Sequence, residues 1–340
     1  MYNPRFSISP SLLELVAKAS ELRAFVGQTL VDVAWLPALQ MEASARSVHS
    51  STAIEGNTLT LPEVTAIARG ETIGGSGRAI QEVRNGLAAV RWIMAREPGH
   101  PIRERDVLHL HRLLTAGTLP ATEAGAYKTR QNRVVDGRGH LLYLPPALGQ
   151  TPTLMKDLLE WLAGGESSAL HPIVVSAIAH HRLVSIHPFS DGNGRVARAL
   201  GMLVLYARGF DTHHILAVDE IFAEDRPRYY DKIQQARDLD DDLSLWIEYV
   251  AEAVVQALAR ARSRIESLRL RSRHSLLLSK RQEDFVRFLR DRGRVRTAEL
   301  AQAFGLTRAR IGQILGPLIE ADLVVREGKT RATSYRLKDL

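Results

Sequence analysis

The chain has no cysteine among its 340 residues, which excludes disulfides, thiolate nucleophiles and cysteine metal sites. Aromatic side chains make up only 6% of it, so aliphatic residues must fill its cores. Long apolar runs are also missing. The longest clear one, Ala199 to Ala207, falls far short of the about 20 residues a helix needs to cross a bilayer. No apolar block follows basic residues near the start, as it would in a secretory signal. These absences predict a cytoplasmic protein with no membrane partner. The length allows two or three domains, each able to bury a core.

Charge is present but unevenly spread. Residues 1–259 hold 25 Lys and Arg against 29 Asp and Glu, whereas residues 260–340 hold 20 against 9. The net +7 therefore belongs to the tail, and a basic tail on a slightly acidic body predicts a separate module able to meet nucleic acid.

The densest chemistry lies in His187-Pro188-Phe189-Ser190-Asp191-Gly192-Asn193-Gly194-Arg195, followed by Arg198. Gly192 and Gly194 bracket Asn193 and allow positive φ angles, so the backbone can curl into a nest of N–H groups. Val196 to Tyr206 reads as a buried helix with Gly209 just past its end. A nest opening onto a helix N-terminus is an anion site, and Arg195 and Arg198 can fork phosphate oxygens there. Asp191 is a hard oxygen donor suited to a largely hydrated Mg²⁺. His187 is the one nearby side chain that takes a proton near neutral pH. Together they predict transfer of a phosphorus group from a nucleotide to a hydroxyl.

This segment resembles the Fic family signature, H-x-F-x-[DE]-G-N-G-R-x-x-R, and matches it at every specified position. The resemblance implies ATP as substrate, His187 as general base and Asp191 as Mg²⁺ ligand. It gives the α- and β-phosphates to the Gly192-Asn193-Gly194 backbone and Arg195, and the γ-phosphate to Arg198. The implied reaction is protein adenylyltransfer to a Ser, Thr or Tyr hydroxyl. Loop variation could redirect such a site to UMP, phosphocholine or phosphate, but the motifs present favour AMP. Upstream, Ser51-Thr52-Ala53-Ile54-Glu55-Gly56 fits the family's inhibitory motif, [ST]-x-x-x-E-[GN]. Ser51 and Glu55 share a helix face and Gly56 stops the helix. The resemblance then implies that Glu55 pairs with Arg198 in the place of the γ-phosphate, and that a Glu55-positioned water would allow de-adenylylation.

The expected fold is mainly α: a Fic-type helical core with a β-hairpin flap and a C-terminal winged helix-turn-helix. The expected divisions are an N-terminal helical region (1–98), the core (99–255), a basic linker helix (256–278) and the winged helix (279–340). Helices are predicted over 8–26, 32–54, 102–115, 151–164 and 172–186. The Gln81-Glu82-Val83-Arg84-Asn85-Gly86 segment also reads as helical. Residues 128–144, with Asp136-Gly137 as the turn, read as a hairpin that either clamps a target protein as an added strand or serves only as structure. His109 and His111 are expected to pack or lie on the surface, and His180 and His181 to pack or lend polar support, rather than bind metal. Tyr229 or Tyr230 would line a nucleotide-base pocket or pack in the core. In the tail, Thr307, Arg308, Arg310 and Gln313 would face a DNA groove, with Lys329 and Arg331 on phosphates. Pro317 should kink its helix. A homodimer is compatible with all of this. The competing reading is a DNA-binding transcriptional regulator whose Fic core only senses nucleotide.

Overall fold

The computed structural model describes residues 2–28, 35–135, 137–211, 213–271, 279–321, 323–328 and 333–338. The chain divides into two compact units, residues 1–26 with 40–262, and residues 27–39 with 263–340.

Most of the first unit is helical. Its elements begin with α1 (Pro10–Gln28), α2 (Leu36–Ile54), α3 (Leu61–Ala68), α4 (Gly77–Met94) and α5 (Glu104–Thr115). A hairpin of β1 (Val134–Val135) and β2 (Leu141–Tyr143) follows, antiparallel with an irregular register. Then come α6 (Thr151–Ala163), α7 (Gly165–Ala169), α8 (Pro172–Ile186), α9 (Asn193–Ala207), α10 (Val218–Glu224), α11 (Arg226–Asp238) and α12 (Ser244–Arg271).

The centre of this unit is α8. Thirteen of its fifteen residues are buried, as expected of a helix that is apolar on nearly every side. Pro172 begins it, where a missing N–H costs nothing. Trp246 of α12 is fully buried and donates its indole N–H to the Ala177 carbonyl (2.7 Å), tying the long helix to the central one. Leu183 and Ile186 of α8 share one hydrophobic core with Leu200 and Leu203 of α9. Consequently the loop between α8 and α9 hangs from two immobilised helix ends.

A second cluster fixes α2. Ala45 and Val48 pack with Val64, Val83, Leu87 and Val90. A Cβ on Gly86 would lie 2.7 Å from Val48 Cγ1, so the glycine permits α2 and α4 to approach closely. The helix stops after Ile54, where Gly56 adopts φ 93° and donates to the Ala53 carbonyl (2.9 Å). Thr60 and Glu63 then begin α3: the Thr60 N–H donates to the Glu63 carboxylate (2.7 Å), with Pro62 in the first turn.

The second unit's own core lies in α13 (Lys280–Arg292), β3 (Val295–Arg296), α14 (Thr297–Phe304), α15 (Arg308–Glu320), β4 (Val324–Glu327) and β5 (Ser334–Leu337). The strands order β3-β5-β4, all antiparallel. Phe285, Leu289, Leu300, Ile311, Leu315 and Leu318 are buried together, and Phe285 stacks on Phe304 at 4.3 Å. Pro317 lies inside α15 without ending it. Lys329, Arg331 and Asp136 lie outside the described residues, as do positions 272–278 of the expected linker helix.

Candidate active site

His187 caps α8 in a left-handed conformation, φ 51° and ψ 57°, which a residue with a Cβ adopts only when its surroundings impose it. Its N–H closes the helix on Leu183 O (3.0 Å), and Asn132 Nδ2 donates to its carbonyl (3.3 Å). The ring's Nδ1 lies 3.2 Å from Val184 O, and a carbonyl can only accept, so the proton sits on Nδ1. That leaves the lone pair on Nε2. Burial pushes the imidazole pKa down to about 4, against a smaller upward pull from the Val184 carbonyl, so the ring is neutral near pH 7.

The loop beyond it is held from inside. Phe189 is fully buried and stacks on His111 at 3.9 Å. Asn193 turns its side chain back on the loop, accepting from Phe189 N (2.9 Å) and donating to Phe189 O (2.9 Å). His111 accepts from Gly125 N through Nδ1 (2.9 Å), so its Nε2 carries the proton and donates to Asp191 O (3.1 Å). Burial lowers His111 to about 4, keeping it in this neutral form.

The two glycines do different things. Gly192 has φ 79° and precedes the first turn of α9. Gly194, expected to be left-handed as well, is instead helical, because α9 begins at Asn193 rather than Val196. Its missing side chain provides room: a Cβ there would collide with the Glu55 carboxylate.

Two guanidiniums face this helix start. Arg195 is buried; its Nη1 donates to Leu114 O (3.4 Å), its Nη2 lies 3.7 Å from Asp191 Oδ2, and its Nε has no partner. Arg198, with no side-chain exposure, donates through Nε to Ser51 Oγ (2.8 Å) and through Nη2 to Ser51 O (2.9 Å) and Glu55 Oε1 (2.8 Å). Its Nη1 reaches the Tyr229 hydroxyl at 3.4 Å. Four of its five N–H groups are thus spent, and no fork remains for a phosphate. One helical turn back from Ser51, Ser47 donates to the buried Asp219 (3.0 Å), so α2 meets the core through a polar stripe at four-residue spacing.

Asp191 is half exposed, with Oδ2 at 3.8 Å from Arg78 and Oδ1 accepting from Gly192 N (2.6 Å). Among the described residues no cluster of three or more metal-ligating side chains occurs. A single open carboxylate beside a phosphate site still fits a hydrated Mg²⁺ that arrives with its nucleotide. Of the aromatic pair, Tyr229 is buried beneath Arg198, sharing a hydrogen bond with His180 (2.9 Å), and has no face open to a base. Tyr230 is exposed across a cleft of about 490 Å³ from β1 and β2. In the second unit Thr307, Arg308, Arg310 and Gln313 are all exposed around the start of α15, where Thr307 caps Arg310 N (3.3 Å).

Sequence reasoning did not single out Asn132, Ser47, Asp219 or Arg78. It also placed no role on His111 beyond packing or surface. One signal was available: His111 falls on the same face as Val107 and Leu114, and an apolar face forces a histidine to pair both ring nitrogens.

Residues 101–205, from just before α5 into α9, match the Fic/DOC family. Two curated relatives, each named protein adenylyltransferase Fic, come from Nematostella vectensis and Culex quinquefasciatus. The first is 32% identical over 222 residues, covering 64% of this chain and 48% of the relative. The second is 31% identical over 230 residues, covering 66% and 43%. The chain thus spans less than half the length of these relatives. A Fic family protein from Desulfovibrio desulfuricans G20 superimposes with a TM-score of 0.70 at 29% identity, over 99% of this chain and 98% of that one. Fic-1 from C. elegans gives 0.63 at 29% identity, covering 75% and 73%. No described helix is long and apolar enough to cross a membrane.

Proposed function

We propose that the protein is a self-inhibited protein adenylyltransferase. A target hydroxyl oxygen attacks the α-phosphorus of ATP, the bond to the bridging oxygen breaks, and pyrophosphate leaves. His187 Nε2 takes the hydroxyl proton. The first N–H groups of α9 and the Arg195 guanidinium would offer fixed positive partners where charge develops on the phosphates. Asp191 would hold Mg²⁺, whose chemistry there is neutralisation of phosphate charge. Glu55 and Ser51, by occupying Arg198, deny the γ-phosphate its seat and so favour an unproductive nucleotide pose.

The observation that carries this reading is the Glu55–Arg198 pair at 2.8 Å beside a helix N-terminus and a neutral histidine. A second reading, a DNA-binding regulator, draws support from the exposed Arg308 and Arg310 on α15, and from α13, α14 and α15 packing with three antiparallel strands among the described residues, an arrangement a winged helix would have. One experiment separates the two: incubation of the Glu55→Gly variant with α-labelled and γ-labelled ATP, alongside titration of the protein with duplex DNA. Label from the α position on protein is expected. Label from the γ position would indicate a kinase, and neither label with salt-sensitive DNA binding would favour the regulator.

A further inference from the structure

The carbonyls at the C-terminal end of α8 are answered one by one. Leu183 O accepts from His187 N (3.0 Å) and Ser185 O from the Tyr143 hydroxyl (2.8 Å). Val184 O takes the His187 ring and also Arg237 Nη2 (3.2 Å). Beyond the helix, three consecutive carbonyls turn to residues 128–132. Asn132 Nδ2 donates to His187 O (3.3 Å) and Phe189 O (2.8 Å), and between them Lys128 N donates to Pro188 O (2.8 Å). Pro188 brings an acceptor without a donor, so the loop draws its donors from outside.

One side chain decides whether Asn132 can serve in this way. An amide offers a donor at one end and an acceptor at the other, and turned over it would set its oxygen against two carbonyl oxygens. Lys128 Nζ can only donate. It takes Asn132 Oδ1 at 2.8 Å and so leaves Nδ2 for the loop. Lys128 is itself buried, only 6% exposed, where a lysine is rarely found without a partner.

His187 depends on such support, because its left-handed backbone, φ 51°, persists only where neighbours impose it. The ammonium also acts on the ring through space. Burial is the main reason the imidazole stays neutral, and the Val184 carbonyl pulls the other way; Arg237 of α11 and Lys128 add to burial, while Glu55 of α2 opposes it.

Resting on the reading of His187 as general base, we propose that Lys128 is a positioning residue for the transfer: through Asn132 it holds the base where the target hydroxyl meets it. The test uses the full-length Glu55→Gly variant and α-labelled ATP. Lys128→Met keeps the stem and loses the donor, so it should slow single-turnover self-labelling by about ten- to a hundredfold while ATP affinity, read by calorimetric titration, stays the same. Lys128→Arg, which keeps donor and charge, should recover most of the rate. Asn132→Asp has the same shape but no donor for the loop, and should be at least as slow as Lys128→Met. Lys128→Met with Asn132→Ala should be no slower than the slower single variant, because the two side chains act as one unit. Loss of a positive neighbour makes the ring easier to protonate, so the acid limb of the rate should rise toward pH 6.5 in Lys128→Met and stay low in Lys128→Arg.

A Lys128→Met rate equal to the parent's, or equal losses of rate and ATP affinity, overturns the proposal and leaves His187 as the base. If Lys128→Met does not fold, Asn132→Asp decides in its place, and an undiminished rate overturns the proposal. If the parent transfers no α-label, or His187→Ala transfers it undiminished, the underlying reading fails, and NMR titration of the His187 ring, assigned by its loss in His187→Ala, decides instead. An upward shift of its protonation in Lys128→Met that Lys128→Arg reverses supports the positioning, and an unchanged ring overturns it.

Discussion

Which nitrogen of His187 can act is set by a neighbour it does not share a helix turn with by accident: Val184 O, three residues back, fixes the proton on Nδ1. The chemistry follows from that. His187→Ala should abolish transfer of the α-label yet leave ATP affinity nearly unchanged, because in the proposed mechanism the ring serves the hydroxyl rather than the phosphates. Because burial holds the pKa at about 4, below the ordinary 6.5, the base form persists as the solution is acidified. The acid limb of kcat/KM in the Glu55→Gly background should therefore fall well below pH 6.5. A limb centred at 6.5, or undiminished transfer by His187→Ala, would remove His187 from the base position. The sequence made His187, Asp191, Arg195 and Arg198 legible because reactive types were crowded at fixed spacing. It misread Gly194, since glycine for backbone freedom and glycine for space look alike until the Glu55 carboxylate is in place.

At the scale of elements, α2 is the part that decides whether Arg198 is free. Ser47, Ser51 and Glu55 recur every four residues, and each donates to or accepts from a core group. A charge-assisted pair whose arginine is buried and whose carboxylate is about a third exposed, plus a misplaced triphosphate, amounts to a few kcal/mol, and each 1.4 kcal/mol is about tenfold in rate. Glu55→Gly should thus raise self-labelling by roughly a hundredfold or more. Ser51→Ala removes one side-chain acceptor while the Ser51 carbonyl and Glu55 remain, so it should raise the rate only about tenfold. Arg198→Ala should not activate, and Arg198→Ala with Glu55→Gly should be slow, because in the proposed mechanism the guanidinium also seats the γ-phosphate. Initial rates with α-labelled ATP across the four variants check the order; a fast double variant would break it. The helix itself was readable from its periodicity and from Gly56. Its docking was not, because the Gly86 notch that receives Val48 pairs residues 38 positions apart.

At the scale of the whole molecule, the two units should differ in acid. The first unit buries His111, His180 and His181 and half-buries His187, and burial lowers all four: His111 and His187 to about 4, His181 to about 3, His180 well below the usual value. The second unit's sequence contains a single histidine, His274, outside the described residues. In the unfolded chain each imidazole binds its proton near pH 6.5, whereas in the folded unit His111, His181 and His187 do not do so until about pH 4 or lower, and burial holds His180 in the same direction. Below 6.5 the unfolded state therefore holds more protons, and stability falls as the pH falls, by at most about 1.4 kcal/mol per pH unit for each histidine. His111, His181 and His187 titrating over the window from 6.5 to about 4 already rival the total of roughly 5–15 kcal/mol that holds an ordinary domain together. Urea unfolding of the full chain, followed by the fluorescence of the buried Trp161 and Trp246, should show a first-unit midpoint that drops sharply between pH 7.5 and pH 5. The second unit, followed by calorimetry, should shift far less over the same range, because the described residues of its core, among them Phe285, Leu289, Ile311 and Leu318, include no histidine or carboxylate. Equal shifts of both transitions would mean that the imidazoles are not what the acid acts on.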